Sequence, residues 1–526
     1  MAQAQQRENS GRNAFLVAAG ILISRIFGLA RQRVFNGAFG LFDTADAFNS
    51  ALRVPNFLQN LFGEGVLSAS FIPVYARLLA EGEIEEAGRV AGAVGAILAV
   101  VVSGIVLVGV LATPYLMWAI AGGFHGEKRE LTIQLVRILF PAAGLLVCSA
   151  WCLGILNSHR KFFLSYTAPV VWNAAMIATL LVFRRTEDTG LAIRLAWGTV
   201  LGSALQFGVQ MPEVLRLVRK LRPVWDTRSE HVREVIRNFV PVLFSRGVVQ
   251  ISAWVDLALA SYLPEGAVSG MTCAQSIYML PVSLFGMAVS AAELPAMSST
   301  LGDSATVAAG LRRRLDSGLR QIAFFIVPSA MAFFAFGDVI TSALYEHRKF
   351  THADSQYVWG IVAGSAVGLL ASTLGRLYAS TYYALRDTRT PLQFAVIRVV
   401  LTSALGLVCA LYLPGWIGIN PLWGAAGLTA SAGFAGWVEF TLLRRGMNRR
   451  IGVTGLPVAL VAKLWASSAV GAAVGWGIKL GIGHHHPIVV GAVVLVPYGL
   501  VYFGTTWLLG VEECEGAFRR FARLRR

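Results

Sequence analysis

Charge is scarce in this sequence, and acidic charge scarcest of all. Only 14% of the 526 residues are Asp, Glu, Lys or Arg, against about 25% in an ordinary soluble domain. Asp and Glu together number 29. Such a composition excludes a disordered regulator and a coiled coil, both of which need charge to stay solvated. Cysteine is also scarce. Cys148, Cys152, Cys273, Cys409 and Cys514 make no C-x-x-C pair, so no disulfide framework is indicated and the five read as small apolar packing residues. Glycine-rich phosphate loops, H-E-x-x-H and G-x-S-x-G are absent, and no stretch between apolar segments is long enough for a catalytic domain. Nothing in the chain argues for an enzyme.

What the chain has in quantity is apolar surface. Hydrophobic residues make up 56% of it and the mean hydropathy is +0.61. Both values indicate an all-α polytopic membrane protein. Fourteen apolar stretches of helix-spanning length are centred near residues 25, 58, 101, 145, 175, 202, 250, 285, 327, 370, 403, 431, 469 and 498. Arg25, Arg31 and Arg33 would spoil a signal-peptide core, so the first stretch is expected to remain as a span. With the N-terminus in the cytoplasm, inside segments collect 28 Lys and Arg and outside loops 6, among them Lys128 and Arg129. That alternation predicts an N-in, C-in orientation. The net charge of +16 is then loop charge and not a nucleic-acid footprint.

Prolines mark an internal repeat. Pro73 is echoed by Pro295 and Pro169 by Pro391, each 222 residues on, and Val54-Pro55 is echoed by Leu280-Pro281 after 226. A duplicated set of six spans enters the membrane twice from the same side, giving two parallel lobes around a central cavity. The expected division is residues 1–222, 223–450 and a C-terminal appendage of two spans, 451–526. The basic stretch from Arg216 to Arg237 reads as the linker between lobes. Short loops and parallel halves describe a transporter, expected here to act as a monomer among membrane lipids.

Ionisable residues inside spans are costly and generally face a bundle interior or a wet cavity. They concentrate in the first two spans. Asp46, Asn49, Arg53, Asn56, Asn60 and Glu64 recur at spacings of three and four, which puts all six on one helix face. Gly20, Ser24, Gly28 and Arg31 share a face of the first span, with Arg25 beside it. Three arginines outnumber two acids there. A guanidinium donates two parallel hydrogen bonds and stays charged, so the surplus suits a phosphorylated, amphipathic anion. The arginines could alternatively serve as internal partners for Asp46 and Glu64. Arg246 and Asp256 in the seventh span lie on broadly one face, either as a substrate contact or as an internal pair. Arg376, Arg398, Glu439 and Lys463 fall in later spans, and His484-His485-His486 reads as a solvated turn with no metal role.

The segments Ser24-Arg25-Ile26-Phe27-Gly28-Leu29-Ala30-Arg31, Ala45-Asp46-Ala47-Phe48, Arg53-Val54-Pro55-Asn56 and Phe62-Gly63-Glu64-Gly65 resemble the MurJ (MviN) family of lipid II flippases. That family lies within the multidrug/oligosaccharidyl-lipid/polysaccharide exporter superfamily. Val255-Asp256, Leu284-Phe285-Gly286 and Arg386-Asp387-Thr388-Arg389-Thr390-Pro391 extend the likeness over spans one to twelve. The resemblance implies a transporter that moves undecaprenyl-diphosphate-linked peptidoglycan precursor from the inner to the outer leaflet by alternating access. It implies cavity roles for Arg25, Arg31, Asp46, Arg53 and Glu64, a sodium ion at Asp256 in some members, and contact with wall-synthesis proteins. No cofactor is implied beyond sodium or the membrane potential as a coupling force. Two departures stand out: Gln59 and Asn60 where the family often has a basic pair, and Ala274-Gln275-Ser276 where it usually has Ala-Asp-Arg. They keep open a flippase for another polyprenyl-linked glycan, or a non-transporting cell-wall scaffold.

Overall fold

The computed structural model describes residues 2–218, 229–298, 304–483 and 485–515. Among these residues there are helices and connecting turns but no strand. The chain divides into two compact units, residues 1–268 and 269–526.

The first unit contains α1 (Ala2–Phe39), α2 (Asp43–Phe62), α3 (Glu64–Ala80), α4 (Ile84–Ile120), α5 (Gly126–Ser158), α6 (Phe162–Val182), α7 (Asp188–Leu217) and α8 (Glu230–Ser261). Helix α5 is its centre, packed against α2, α3, α4 and α7, while α1 lies along α6 and α8 along α3. The second unit holds most of α9 (Ala267–Pro281), then α10 (Ala288–Ser298), α11 (Ser304–Tyr345), α12 (His352–Ala384), α13 (Arg389–Leu407), α14 (Leu413–Trp416), α15 (Gly424–Ile451), α16 (Val458–Gly481) and α17 (Pro487–Leu508). Here α12 is central, flanked by α10, α11 and α15.

Nine helices among the described residues are long and apolar enough to cross a bilayer on composition. The expected spans near residues 25, 202, 250 and 431 coincide with more polar helices of 38, 30, 32 and 28 residues. The span expected near residue 58 is not one helix. It breaks at Gly63, between α2 and α3, whereas Pro55, a residue that commonly kinks helices, sits inside uninterrupted α2. The middle of the expected basic linker, residues 219–228, and the tail beyond residue 515 lie outside the described residues.

The two central helices end alike. Arg160 closes α5 with φ 61° and Arg386 closes α12 with φ 59°. In each turn three successive N–H groups return to the last helical carbonyls: His159 to Ile155, Arg160 to Asn157 and Lys161 to Leu156, and likewise Leu385 to Thr381, Arg386 to Tyr383 and Asp387 to Tyr382. Left-handed arginine is strained relative to glycine, yet this closure satisfies carbonyls that would otherwise be orphaned. Asp387 then caps α13 by accepting the N–H groups of Arg389 and Thr390 (3.0 Å each), and it pairs with Arg450 at 2.6 Å. The Thr390 amide and hydroxyl, with Arg450, hold this carboxyl down at about 2.

At one end of the first unit a buried carboxylate ties three segments together. Asp46, 1% exposed, pairs with Lys128 of α5 (2.9 Å) and accepts the backbone N–H of Gly266 (2.9 Å). Lys128 also reaches Asp43 (2.6 Å) and lies over the Phe124 ring, and the Asp43 N–H is taken by Glu265 (2.8 Å). Lys128 is therefore a helix residue braced against α2, and not the loop charge that the sequence suggested.

In the second unit, α11 is interrupted twice. Pro328 has no N–H to give to the Phe324 carbonyl, and Phe336 leaves helical geometry (φ −133°, ψ 19°). Carbonyls around both interruptions accept side-chain donors from neighbouring helices. Tyr502 of α17 donates to Phe324 O, Tyr498 to Pro328 O (2.6 Å), and the Trp359 indole of α12 to Phe333 O and Phe334 O (3.1 and 3.0 Å). Lys479 of α16 pairs with Asp338 of α11 at 2.6 Å and lies 4.7 Å from the Trp476 ring centroid. The last two helices are thus built into this unit by specific polar bonds.

Three outcomes follow from these contacts. Tyr502→Phe should cost about 1–2 kcal/mol, measured as a lower melting point in detergent, because it orphans a buried carbonyl. Asp46→Ala should cost about 1–3 kcal/mol by leaving the buried Gly266 N–H unanswered and Lys128 with Asp43 alone, and an unchanged melting point would refute the brace. Asp387 contributes stability that is present above the ordinary carboxylate range and is lost as pH falls through about 2. Asp387→Asn should therefore lower stability at neutral pH and flatten its decline between about pH 4 and pH 2.

Candidate functional site

The polar face of α1 and α2 is built by helix periodicity, but its members are not equivalent. On α1, Gly20 faces α6: a side chain there would meet Tyr166 at 2.9 Å. Two turns on, a side chain at Gly28 would meet nothing within 4 Å. The small-residue strip therefore serves close helix packing at one end and opens onto free space at the other. Arg31 is half-buried, with its guanidinium 5.1 Å from the Trp172 ring centroid and Nη1 directed at Met176 Sδ, both on α6. Stacking on an indole orients the planar group while leaving its charge in place. Arg25 is exposed, and Ser24 beside it half-buried. Among the described residues neither makes a hydrogen bond or an ion pair.

Along α2 the expected stripe runs from buried to open. Asp46 belongs to the brace described above, and Asn49 is buried. Arg53 and Asn56 are half-buried, and Asn60 and Glu64 are exposed. Helix α8 covers the middle of this face: Phe57 stacks on Trp254 with centroids 4.4 Å apart, and Asn60 Nδ2 approaches Gln250 Oε1 at 3.5 Å. Arg53 lies within electrostatic reach of Asp256 on α8, so the structure brings together a cation and the acid for which the family resemblance implies an ion. Asn56 has no hydrogen bond among the described residues. No group of three or more His, Cys, Asp or Glu able to hold a metal occurs among them either.

The break at Gly63 starts a new helix at the end of the stripe. A Cβ there would sit 2.2 Å from the Gln59 carbonyl oxygen, so only glycine fits. The Gly63 carbonyl accepts the N–H groups of Val66 and Leu67 (3.2 Å each). Glu64 occupies the first turn of α3, where a carboxylate is favoured by the helix dipole, and it acts electrostatically on Tyr166, the residue packed on Gly20. The first turns of α3 and α6 thus lie near the middle of α1.

Other sequence candidates are placed elsewhere. The Arg246 side chain lies outside the described residues. Ser276, where the family has a cation, closes on the Thr272 carbonyl of its own helix (3.0 Å). Within the second unit Arg398 pairs with Glu439 at 3.1 Å, and Lys463 donates to the Leu509 carbonyl at 2.8 Å. The contributors that sequence reasoning missed are Trp172, Trp254, Lys128 and Gly266. Each meets its partner across a long sequence separation and leaves no periodic trace.

Comparison with known proteins gives the surface its context. The family model described as "Lipid II flippase MurJ" matches residues 35–497. The lipid II flippase MurJ of Burkholderia cenocepacia is 30% identical over 97% of this chain and 99% of its own length. The probable lipid II flippase MurJ of Vibrio cholerae is 30% identical over 87% of each chain. Among solved structures, a lipid II flippase MurJ in an inward closed conformation superposes with a TM-score of 0.77 at 22% identity, covering 94% of this chain and 98% of that one. An inward-facing multidrug resistance MATE transporter of the MOP superfamily gives 0.66 at 18% identity, over 80% and 95%. The fold is that of these transporters, and the chain belongs to the MurJ family of lipid II flippases.

Proposed function

We propose that this protein is a lipid II flippase, carrying the undecaprenyl-diphosphate-linked peptidoglycan precursor from the inner to the outer leaflet of the bacterial cytoplasmic membrane by alternating access. The observation that carries this reading is Arg25: an exposed guanidinium inside a span, without an internal partner among the described residues, beside the open space at Gly28. A cation left uncommitted in a membrane helix is costly unless a ligand or wet cavity uses it. A diphosphate offers oxygen pairs that match its fork. Arg31, oriented by Trp172, adds a second charge on the same helix, with Ser24 and Asn56 as neutral donors. Glu64 and Asp256 offset the surplus, so an anion is attracted without being trapped. No bond is made or broken in this process.

The N-in, C-in orientation fits the charge asymmetry, and the matched closures of α5 and α12 support two parallel repeats with α16 and α17 appended. The expected division at residues 222 and 450 follows from that repeat. Coupling to sodium through Asp256 or to the membrane potential, a monomeric state and contact with wall-synthesis proteins belong to the same reading. Gln59, Asn60 and Ser276 favour one rival: a flippase for another polyprenyl-linked glycan, with a weaker diphosphate clamp.

The decisive experiment is complementation in bacteria depleted of their own lipid II flippase, scoring survival and surface-accessible lipid II. The wild-type chain should rescue. Arg25→Ala should cut flipping about tenfold or more, as expected for loss of a charge-assisted contact, and Arg25→Lys should retain part of it. Failure of a folded, inserted wild-type chain would transfer the function to another lipid-linked glycan. Full rescue by Arg25→Ala together with Arg31→Ala would remove the cationic face from the mechanism.

A further inference from the structure

The side of α5 turned away from the brace carries a second polar constellation that the substrate face does not use. Lys128 reaches α2, and Arg137, nine residues later, projects from the opposite side of the helix. Glu130, Gln134 and Arg137 recur one turn apart along that side. With Ile138, Pro141 and Trp197 of α7 they line a groove of about 580 Å³ within the first unit. All three polar side chains are exposed, and none makes a hydrogen bond or an ion pair among the described residues.

The depth of the groove follows from the sequence around it. From Ile138 to Ser158 α5 carries no charge. Tyr115 and Trp118 near the end of α4, and Trp197 beside the groove, are 79%, 75% and 58% exposed, as in an interfacial aromatic belt. Arg137 therefore lies at the edge of the hydrocarbon, and Glu130 lies two turns, about 10 Å, nearer the water. A lone guanidinium facing lipid at this depth needs a phosphate, and the carboxylate above it needs a cation.

We propose that this groove binds a membrane phospholipid with an aminoethyl phosphate headgroup. The order of charges is that of the lipid itself. Phosphate, the group nearer the acyl chains, meets Arg137 and Gln134, and the terminal ammonium meets Glu130, with both long side chains leaning toward the headgroup. One acyl chain runs past Ile138 and Pro141. A glycerol headgroup would bring no cation to Glu130, and a quaternary ammonium would bring a cation without N–H donors. The site therefore discriminates by headgroup as well as by charge.

The test uses the full-length protein, delipidated in detergent and titrated with phosphatidylethanolamine, phosphatidylglycerol or phosphatidylcholine, with bound lipid counted by native mass spectrometry. Phosphatidylethanolamine should be retained about threefold better than either rival, the scale of one exposed ion pair. Glu130→Gln should erase that preference while leaving binding intact. Arg137→Ala should lower retention of all three lipids about tenfold, and Arg137→Lys should restore part of it. Both positions are exposed, so melting points should match the wild type. Equal retention of the three lipids by the wild type, or unchanged retention by Arg137→Ala, would overturn the proposal. Phosphoethanolamine without acyl chains binding as tightly as the lipid would overturn it too, by making the groove a soluble phosphate site. Flipping plays no part in the readout, so the outcome is independent of the substrate assigned to α1 and α2.

Discussion

A bilayer interior offers no water to replace a hydrogen bond that a broken helix gives up, so each interruption has to be answered by the protein. This chain interrupts its helices repeatedly and answers each break in place. The Gly63 carbonyl is reused by Val66 and Leu67 at the start of α3. Pro328 and the turn at Phe336 are answered from other helices, by Tyr498, Tyr502 and Trp359. The arrangement around α11 follows from this requirement. A helix broken twice within the membrane is viable only with donors fixed against it, and α12 and α17 supply them.

Charge obeys a parallel rule. Asp46 with Lys128, Asp338 with Lys479 and Arg398 with Glu439 are pairs, and each joins two helices that would otherwise meet through apolar contact alone. Set against that habit, helix cations that make no bond among the described residues stand out. Arg25 on α1 and Arg137 on α5 belong to the same unit, and each lies beside space that a phosphate could enter.

Much of this was legible in the sequence because it is written in hydropathy and period. Long apolar runs located the helices, and spacings of three and four placed Asp46 through Asn60 on one face of α2. The same spacings could not tell that the face turns from buried at Asp46 to exposed at Asn60, because that depends on α5 and α8 arriving from far along the chain. A proline is the usual weak point of a helix, yet α2 runs through Pro55 and the break falls at Gly63, where crowding against the Gln59 carbonyl admits nothing larger. Lys128 was counted as a loop charge because its partner is 82 positions away. The Arg-Asp-Thr-Arg-Thr-Pro run matched the family by pattern. Its use as a helix cap pinned by Arg450 needed coordinates.

The polar bonds from α16 and α17 to α11 bear on how such a protein could be shortened. From the repeat alone, the last two helices look dispensable, and a twelve-helix core would seem the minimal transporter. Cutting the chain after Ile451 would, however, hand the Phe324 carbonyl, which Pro328 cannot answer, and the Asp338 carboxylate to the surrounding lipid. The evolutionary route to a smaller relative would therefore have to repair α11 before it could discard its last two neighbours.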